Sequence, residues 1–321
     1  MNQLKYYYVI MGSNWDLYLH CYKDINQMDD AVYISDEIIV TNKLLRPLLS
    51  DRMKMNLIRP FCQYLNKKLY RNTFPNDRPL CFIFFSNWVR YDSKIGLIDY
   101  LRGRFPQSKY VWFLQDLYKF VPYSTKQFDL VLSFDQGDVE KYNFIYHPLV
   151  FSNFNGNIVP MPESDVYFLG KAKNRLHEIF KAYELMKEEG LNVDMNIVDV
   201  PKKEQIYTND IHYIEGLTYY ENLQHLLHSK CALEIMQQGG KGYTMRYHEV
   251  VSIGKKLITN NPLVCNSPFF DKGYISHFDK PELMDRTFLK KISSAEKVNY
   301  GYNNNFSPVE LVKFVDKLIR E

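Results

Sequence analysis

The sequence predicts an α/β protein made of two doubly wound, Rossmann-like units in tandem. Two patterns carry this reading: strand-length apolar runs alternate with amphipathic stretches in both halves, and a polar stretch without hydrophobic period separates the halves. Length agrees, since 321 residues exceed one usual domain and fall short of three.

In the first half the runs at 6–12, 31–35, 80–86, 109–115 and 128–134 are rich in Val, Ile, Phe and Tyr and bounded by polar or turn residues. Such runs suit strands buried on both faces of a parallel sheet. A helix is expected at 93–105 between two of them. The stretch 152–164, SNFNGNIVPMPES, holds Gly, Pro and polar residues and reads as the linker. The expected division is an acceptor-side domain at 1–151, a donor domain at 165–306 and a last helix within 307–321.

Beyond the linker the alternation restarts with a strand at 165–169, Gly170, and a helix at 171–189 closed by Gly190. Leu176, Ile179, Phe180, Tyr183 and Met186 recur at helical spacing, so one face packs on a sheet. Further strands are expected at 193–198, 212–214, 231–236 and 256–259. Thr218 with Glu221 predicts a capping box, and Ser307 with Glu310 predicts another before the last helix, where Pro308 suits the first helical position.

Composition narrows the function classes. A net charge of +3 is too small by itself to imply nucleic-acid binding, which usually shows as a concentrated basic face. Cys21, Cys62, Cys81, Cys231 and Cys265 are odd in number and never in a metal-binding spacing, which predicts a reducing compartment and no structural zinc. The first residues run into a strand without the charged and apolar regions of a signal peptide. No apolar run approaches the ~20 residues of a spanning helix. A cytoplasmic protein, soluble or peripheral at the inner face of the plasma membrane, is expected.

The stretch 234–261, EIMQQGGKGYTMRYHEVVSIGKKLITNN, is the most informative. A strand passes into a Gly-rich loop holding Gln238, Gly239, Gly240 and Lys241, and then into a helix starting near Thr244. Backbone N–H groups and the positive end of the helix dipole suit a diphosphate there, with Lys241 and Arg246 adding charge. Farther along, Glu249 could accept hydrogen bonds from ribose hydroxyls; a surface turn before a core helix is the alternative.

The run HEVVSIGKKLITNN from His248 resembles the segment of GT-B glycosyltransferases in which a Glu-bearing helix, a Gly-Lys turn and a strand form part of the nucleotide site. Glu249 matches the second glutamate of that family's Glu-x7-Glu motif, while the first falls on Lys241. FIFFSNW, FLQD, FDLVLSFDQGDVEKYNFIYHP, YFLGKAKNR and KKLITNN resemble, in order and spacing, small bacterial glycosyltransferases encoded with capsule, exopolysaccharide or O-antigen genes. The resemblance implies two Rossmann-like domains facing a cleft and a nucleotide-sugar donor, UDP-linked and with galactofuranose as one candidate. It also implies a lipid-linked or oligosaccharide acceptor and no cofactor or catalytic metal. It further implies that the turn YFLGKAKNRL, with Gly170, Lys171 and Arg175, faces the donor phosphates, where a cation balances the leaving diphosphate.

An inverting transferase needs a base for the acceptor hydroxyl. Asp16, in GSNWD after the first strand, is the first candidate, and Asp92 and Asp116 are placed at comparable strand ends. Each could instead cap a helix or pair with a lysine. In 41–72, eight basic residues stand against the single acid Asp51 with Leu44, Leu45, Leu48, Leu49 and Met53 interleaved. That pattern suits either peripheral contact with anionic lipid or a core-packed helix with a solvated basic face. The eight histidines form no close metal pair. Two rivals share the donor site: an epimerase acting on the nucleotide sugar, and a non-catalytic nucleotide-sugar-binding subunit.

Overall fold

A computed structural model describes residues 4–35, 74–75, 77–237, 239–294 and 298–320. The basic segment 41–72 and Gln238 lie outside these, as do the side chains of 91–95. The chain divides into two compact units, Met1–Ser152 with Phe306–Glu321, and Asn153–Asn305.

Unit 1 holds β1 (Tyr7–Met11), α1 (Asp16–Cys21), β2 (Ala31–Ile34), β3 (Leu80–Phe84), α2 (Ser86–Ile95), α3 (Leu97–Arg104), β4 (Lys109–Leu114), β5 (Leu130–Ser133), α4 (Gln136–Tyr142) and β6 (Ile145–Tyr146). Its six strands run parallel in the order β2-β1-β3-β4-β5-β6. All five residues of β3 are buried, as expected of a strand covered on both faces. The helix expected at 93–105 is two helices. The first starts at Ser86, directly after β3, and Gly96 at φ 65° breaks it from the second. Gly96 takes the left-handed conformation without the penalty of a Cβ, and Leu97, Ile98 and Leu101 then return to the core.

Unit 2 holds β7 (Ser164–Lys171), α5 (Leu176–Glu188), β8 (Val193–Val198), β9 (Ile211–Ile214), α6 (Tyr219–Leu227), β10 (Ser229–Glu234), α7 (Met245–Ile253), β11 (Lys256–Thr259), β12 (Ile275–His277) and α8 (Arg286–Lys290). The strands are parallel, in the order β12-β11-β10-β7-β8-β9. Strand order therefore reverses between β7 and β10, and ligands of open α/β sheets bind outside the strand ends at such a point. α5 starts at Leu176 rather than at 171, because Lys171 still pairs with Val198 in the sheet and Lys173 turns the chain at φ 45°. The Thr218–Glu221 capping box forms.

The chain ends in α9 (Pro308–Arg320), which buries Leu311, Val312, Val315 and Asp316. The second expected capping box does not form. The Ser307 hydroxyl donates to Asp24 at 2.9 Å and accepts the Val309 N–H at 3.4 Å, while Glu310 pairs with Lys313 at 2.7 Å.

Candidate functional site

At the switch point of unit 2 the fold brings together two of the turns singled out from sequence, one after β7 and one after β10. Arg175 joins them. Its Nε and one terminal nitrogen donate to the Lys171 carbonyl at 3.2 and 3.1 Å, and the other terminal nitrogen donates to the Ile235 carbonyl. Gly170 makes room for this, since a Cβ there would lie 3.0 Å from the guanidinium and 2.9 Å from the Phe168 ring. Burial lowers the Arg175 pKa against the opposing charges of Glu234 and Glu178. The guanidinium is thus a brace between turns. Lys171, by contrast, is exposed and pairs with Asp199 at 2.8 Å.

The Gly-rich loop is fixed at both ends. The Met236 N–H donates to the Asn260 side chain at 2.6 Å, Asn261 donates to the Gly242 carbonyl at 3.0 Å, and the Tyr243 hydroxyl donates to the Leu263 carbonyl at 3.2 Å. Gly239 turns the chain at φ 89°, a conformation that L side chains rarely adopt. Among the described residues a Cβ on Gly240 would meet only Met236, and Lys241 is exposed beside it. Thr244 caps α7 by accepting the Tyr247 N–H at 3.5 Å. Sequence reasoning missed Glu234, the buried last residue of β10, whose carboxylate accepts from the Thr244 and Thr259 hydroxyls. Burial pushes its carboxyl above the usual range, against the pull of those hydroxyls and of Arg246 and Arg175. An acidic residue directly after the apolar run Cys231–Leu233 was the available signal.

Arg246 and Glu249 are about one helical turn apart in α7 and largely buried. Arg246 lies 2.7 Å from one Glu249 oxygen, and the Asn222 amide donates to the other at 3.2 Å. The Asn222 oxygen in turn accepts from Arg246 at 3.0 Å and from the Tyr167 hydroxyl at 3.1 Å. The guanidinium also stands over the Tyr167 ring, 5.1 Å from its centroid. Burial is the largest influence on Arg246 and works against its charge, but Glu249, Tyr167, Tyr219 and Glu234 together raise its pKa. Glu249, only 3% exposed, is directed at Arg246 and Asn222 within the unit.

In unit 1 the strand order reverses between β1 and β3. Asp16 opens α1 just beyond β1, is exposed, and accepts the Leu17 N–H at 2.9 Å. Asp116 is exposed just beyond β4. Asp92 is not at a strand end. Because α2 begins at Ser86, Asp92 falls well inside that helix. The turn after β1 is held by Tyr33, whose hydroxyl donates to the Ser13 carbonyl at 2.7 Å and accepts the Ser13 N–H at 2.8 Å. A Cβ on Gly12 would lie 2.1 Å from the Tyr33 ring, so the turn requires glycine. An open cavity lined by Arg78, Pro79, Arg104 and Gln107 lies at the opposite edge, where β3 and β4 begin.

Among the described residues no three His, Cys, Asp or Glu side chains gather as metal ligands, and no helix is long and apolar enough to cross a membrane. No protein-family model matches the chain, and no curated protein matches it in sequence. Solved structures do. An α-glucosyltransferase in complex with UDP-glucose and abasic-site DNA is 11% identical, with 96% of this chain and 98% of that one covered at a TM-score of 0.53. The fold is that of the GT-B glycosyltransferases. The DNA-modifying enzyme β-glucosyltransferase, studied with and without UDP-glucose, is 10% identical over 97% and 95% of the chains at a TM-score of 0.48. A Listeria monocytogenes protein provisionally designated a UDP-N-acetylglucosamine 2-epimerase is 8% identical over 99% and 97%, at 0.47.

Proposed function

We propose that the chain is a glycosyltransferase that moves a sugar from a UDP-linked donor, with galactofuranose as one candidate, to the growing acceptor of a bacterial surface polysaccharide. The observation that carries this reading is the pairing of two phosphate-suited turns at the unit 2 switch point, braced by Arg175 and with Lys171 and Lys241 exposed on them. Backbone N–H groups of the Gly239–Gly240 loop, the dipole of α7 and Lys241 take the diphosphate in this proposal. Asp16 removes the proton of the acceptor hydroxyl as its oxygen attacks the anomeric carbon. The bond from that carbon to the diphosphate oxygen breaks, and the nucleoside diphosphate leaves with the electron pair.

Thermal shift and calorimetry with UDP, GDP, CMP and TDP test the donor site, because a ligand of the native state raises its melting temperature. UDP is expected to bind best. Lys241→Ala is expected to weaken UDP about 10- to 100-fold, the range of a charge-assisted hydrogen bond, and uridine far less. Transfer is expected to survive EDTA, since cationic side chains and backbone groups carry the charge. Absence of stabilisation by all four nucleotides would overturn the proposal.

A further inference from the structure

The three tryptophans of the chain divide sharply. Trp88 and Trp112 are 1% and 0% exposed, whereas Trp15 is 67% exposed. Yet the Trp15 ring is not loose. It stacks on Tyr18 with centroids 6.2 Å apart at 25°, Tyr18 packs on Phe85 at 5.2 Å, and Phe85 packs on Tyr22 at 4.8 Å. Phe85 and Tyr22 are themselves buried, so the ladder is anchored in the core at one end and opens to solvent at the other. A ring held this way offers flat apolar area at little further cost in conformational entropy.

We propose that Trp15 and Tyr18 form a stacking platform for a sugar ring, with the carboxylates of Asp16 and Asp116 beside it as hydrogen-bond acceptors for the ring hydroxyls. The place is right for a ligand, beyond the C-terminal ends of β1 and β4. Trp15 caps α1, which Asp16 opens, and Asp116 lies close enough to Tyr18 for its charge to help raise the phenol pKa, after burial. A sugar presents an apolar C–H face for an aromatic ring and hydroxyls that donate to carboxylates, which accept only. Lipid headgroups and nucleic acids present phosphates, which acids at this edge repel. The assignment rests on the transferase reading for its role in acceptor binding, but the binding itself does not.

The test uses Trp15 as its own reporter, because the other two tryptophans are buried. Acrylamide quenching of the full chain is measured with lactose, maltotriose, cellotriose, chitotriose, or phosphatidylcholine–phosphatidylglycerol vesicles. Saturable protection of the quenchable component by at least one oligosaccharide is expected, with no such component in Trp15→Ala. Ligand-observed NMR of that saccharide with Trp15→Ala should show about 10-fold weaker binding, with UDP affinity by calorimetry as in wild type. No protection by any saccharide, protection by vesicles instead, or unchanged saccharide binding by Trp15→Ala overturns the platform. Loss of UDP binding by wild type would overturn the donor reading separately.

Discussion

The Tyr8 hydroxyl donates to Asp316 at 2.8 Å across a sequence separation of 308 residues. The same carboxylate oxygen accepts the Lys5 N–H at 3.0 Å, and the other lies 2.7 Å from Arg320. Strand β1 and helix α9 are joined at this one buried group.

Asp316→Ala is therefore expected to destabilise unit 1 by about 2–4 kcal/mol, through lost charged hydrogen bonds and an orphaned Tyr8 hydroxyl. Tryptophan fluorescence during urea unfolding reads this selectively, since Trp15, Trp88 and Trp112 all lie in unit 1. An unchanged midpoint would remove the latch.

Glu249 and Arg246 should behave as a pair. Removing either partner of a buried ion pair strands the other, at a cost of about 3–5 kcal/mol. In a double-mutant cycle Glu249→Ala with Arg246→Ala should cost clearly less than the two single changes added. Far-UV circular dichroism in urea gives the four stabilities. Additive losses would show that the pair does not couple, and a selective loss of nucleotide affinity in a well-folded Glu249→Ala would support a ribose contact at this carboxylate.

Asp16→Asn keeps the shape of the side chain and removes its basicity. The expected result is a fall in kcat of at least about 100-fold with UDP affinity unchanged. Near-normal turnover would shift the base to Asp116 or favour retention of configuration.

His147 packs between Phe113 and Phe314, at 5.5 and 5.1 Å, and its Nδ1–H donates to the Pro148 carbonyl at 2.7 Å. Burial lowers its pKa to about 4. The unfolded chain, with an ordinary histidine, takes up the proton first as pH falls. Stability of unit 1 should thus be full above pH ~6.5 and decline toward pH ~4, by roughly 3 kcal/mol in all. The measure is the difference between wild type and His147→Phe in fluorescence-detected urea unfolding at several pH values. A parallel pH response in the two proteins would rule out His147 as the source.

The strands were legible because each is a compact apolar run: 193–198 and 256–259 match the observed bounds without change. The helix at 93–105 misled because apolar periodicity continues through Gly96, and only the backbone shows the left-handed break. Strand order was not legible, since parallel pairing leaves no mark in local sequence. It is this order that sets the turns after β7 and β10 side by side. The resemblance placed Lys171 and Arg175 toward the donor phosphates, whereas the bracing of Arg175 between the Lys171 and Ile235 carbonyls was not legible, because those two residues are far apart in the chain. The partners of Glu249 were hidden likewise, Asn222 coming from a different helix.

The return of α9 to unit 1 also orders events during synthesis. Unit 2 is one unbroken stretch, Asn153–Asn305, and leaves the ribosome whole before Phe306–Glu321 follows. At ~5–20 residues per second, roughly 15–60 s separate the emergence of β1 from that of the helix that covers it. The unit translated first is thus the last to close. Through that interval Tyr8 in the nascent β1 lacks its Asp316 partner. A circular permutant that starts with the 306–321 segment should shorten the wait.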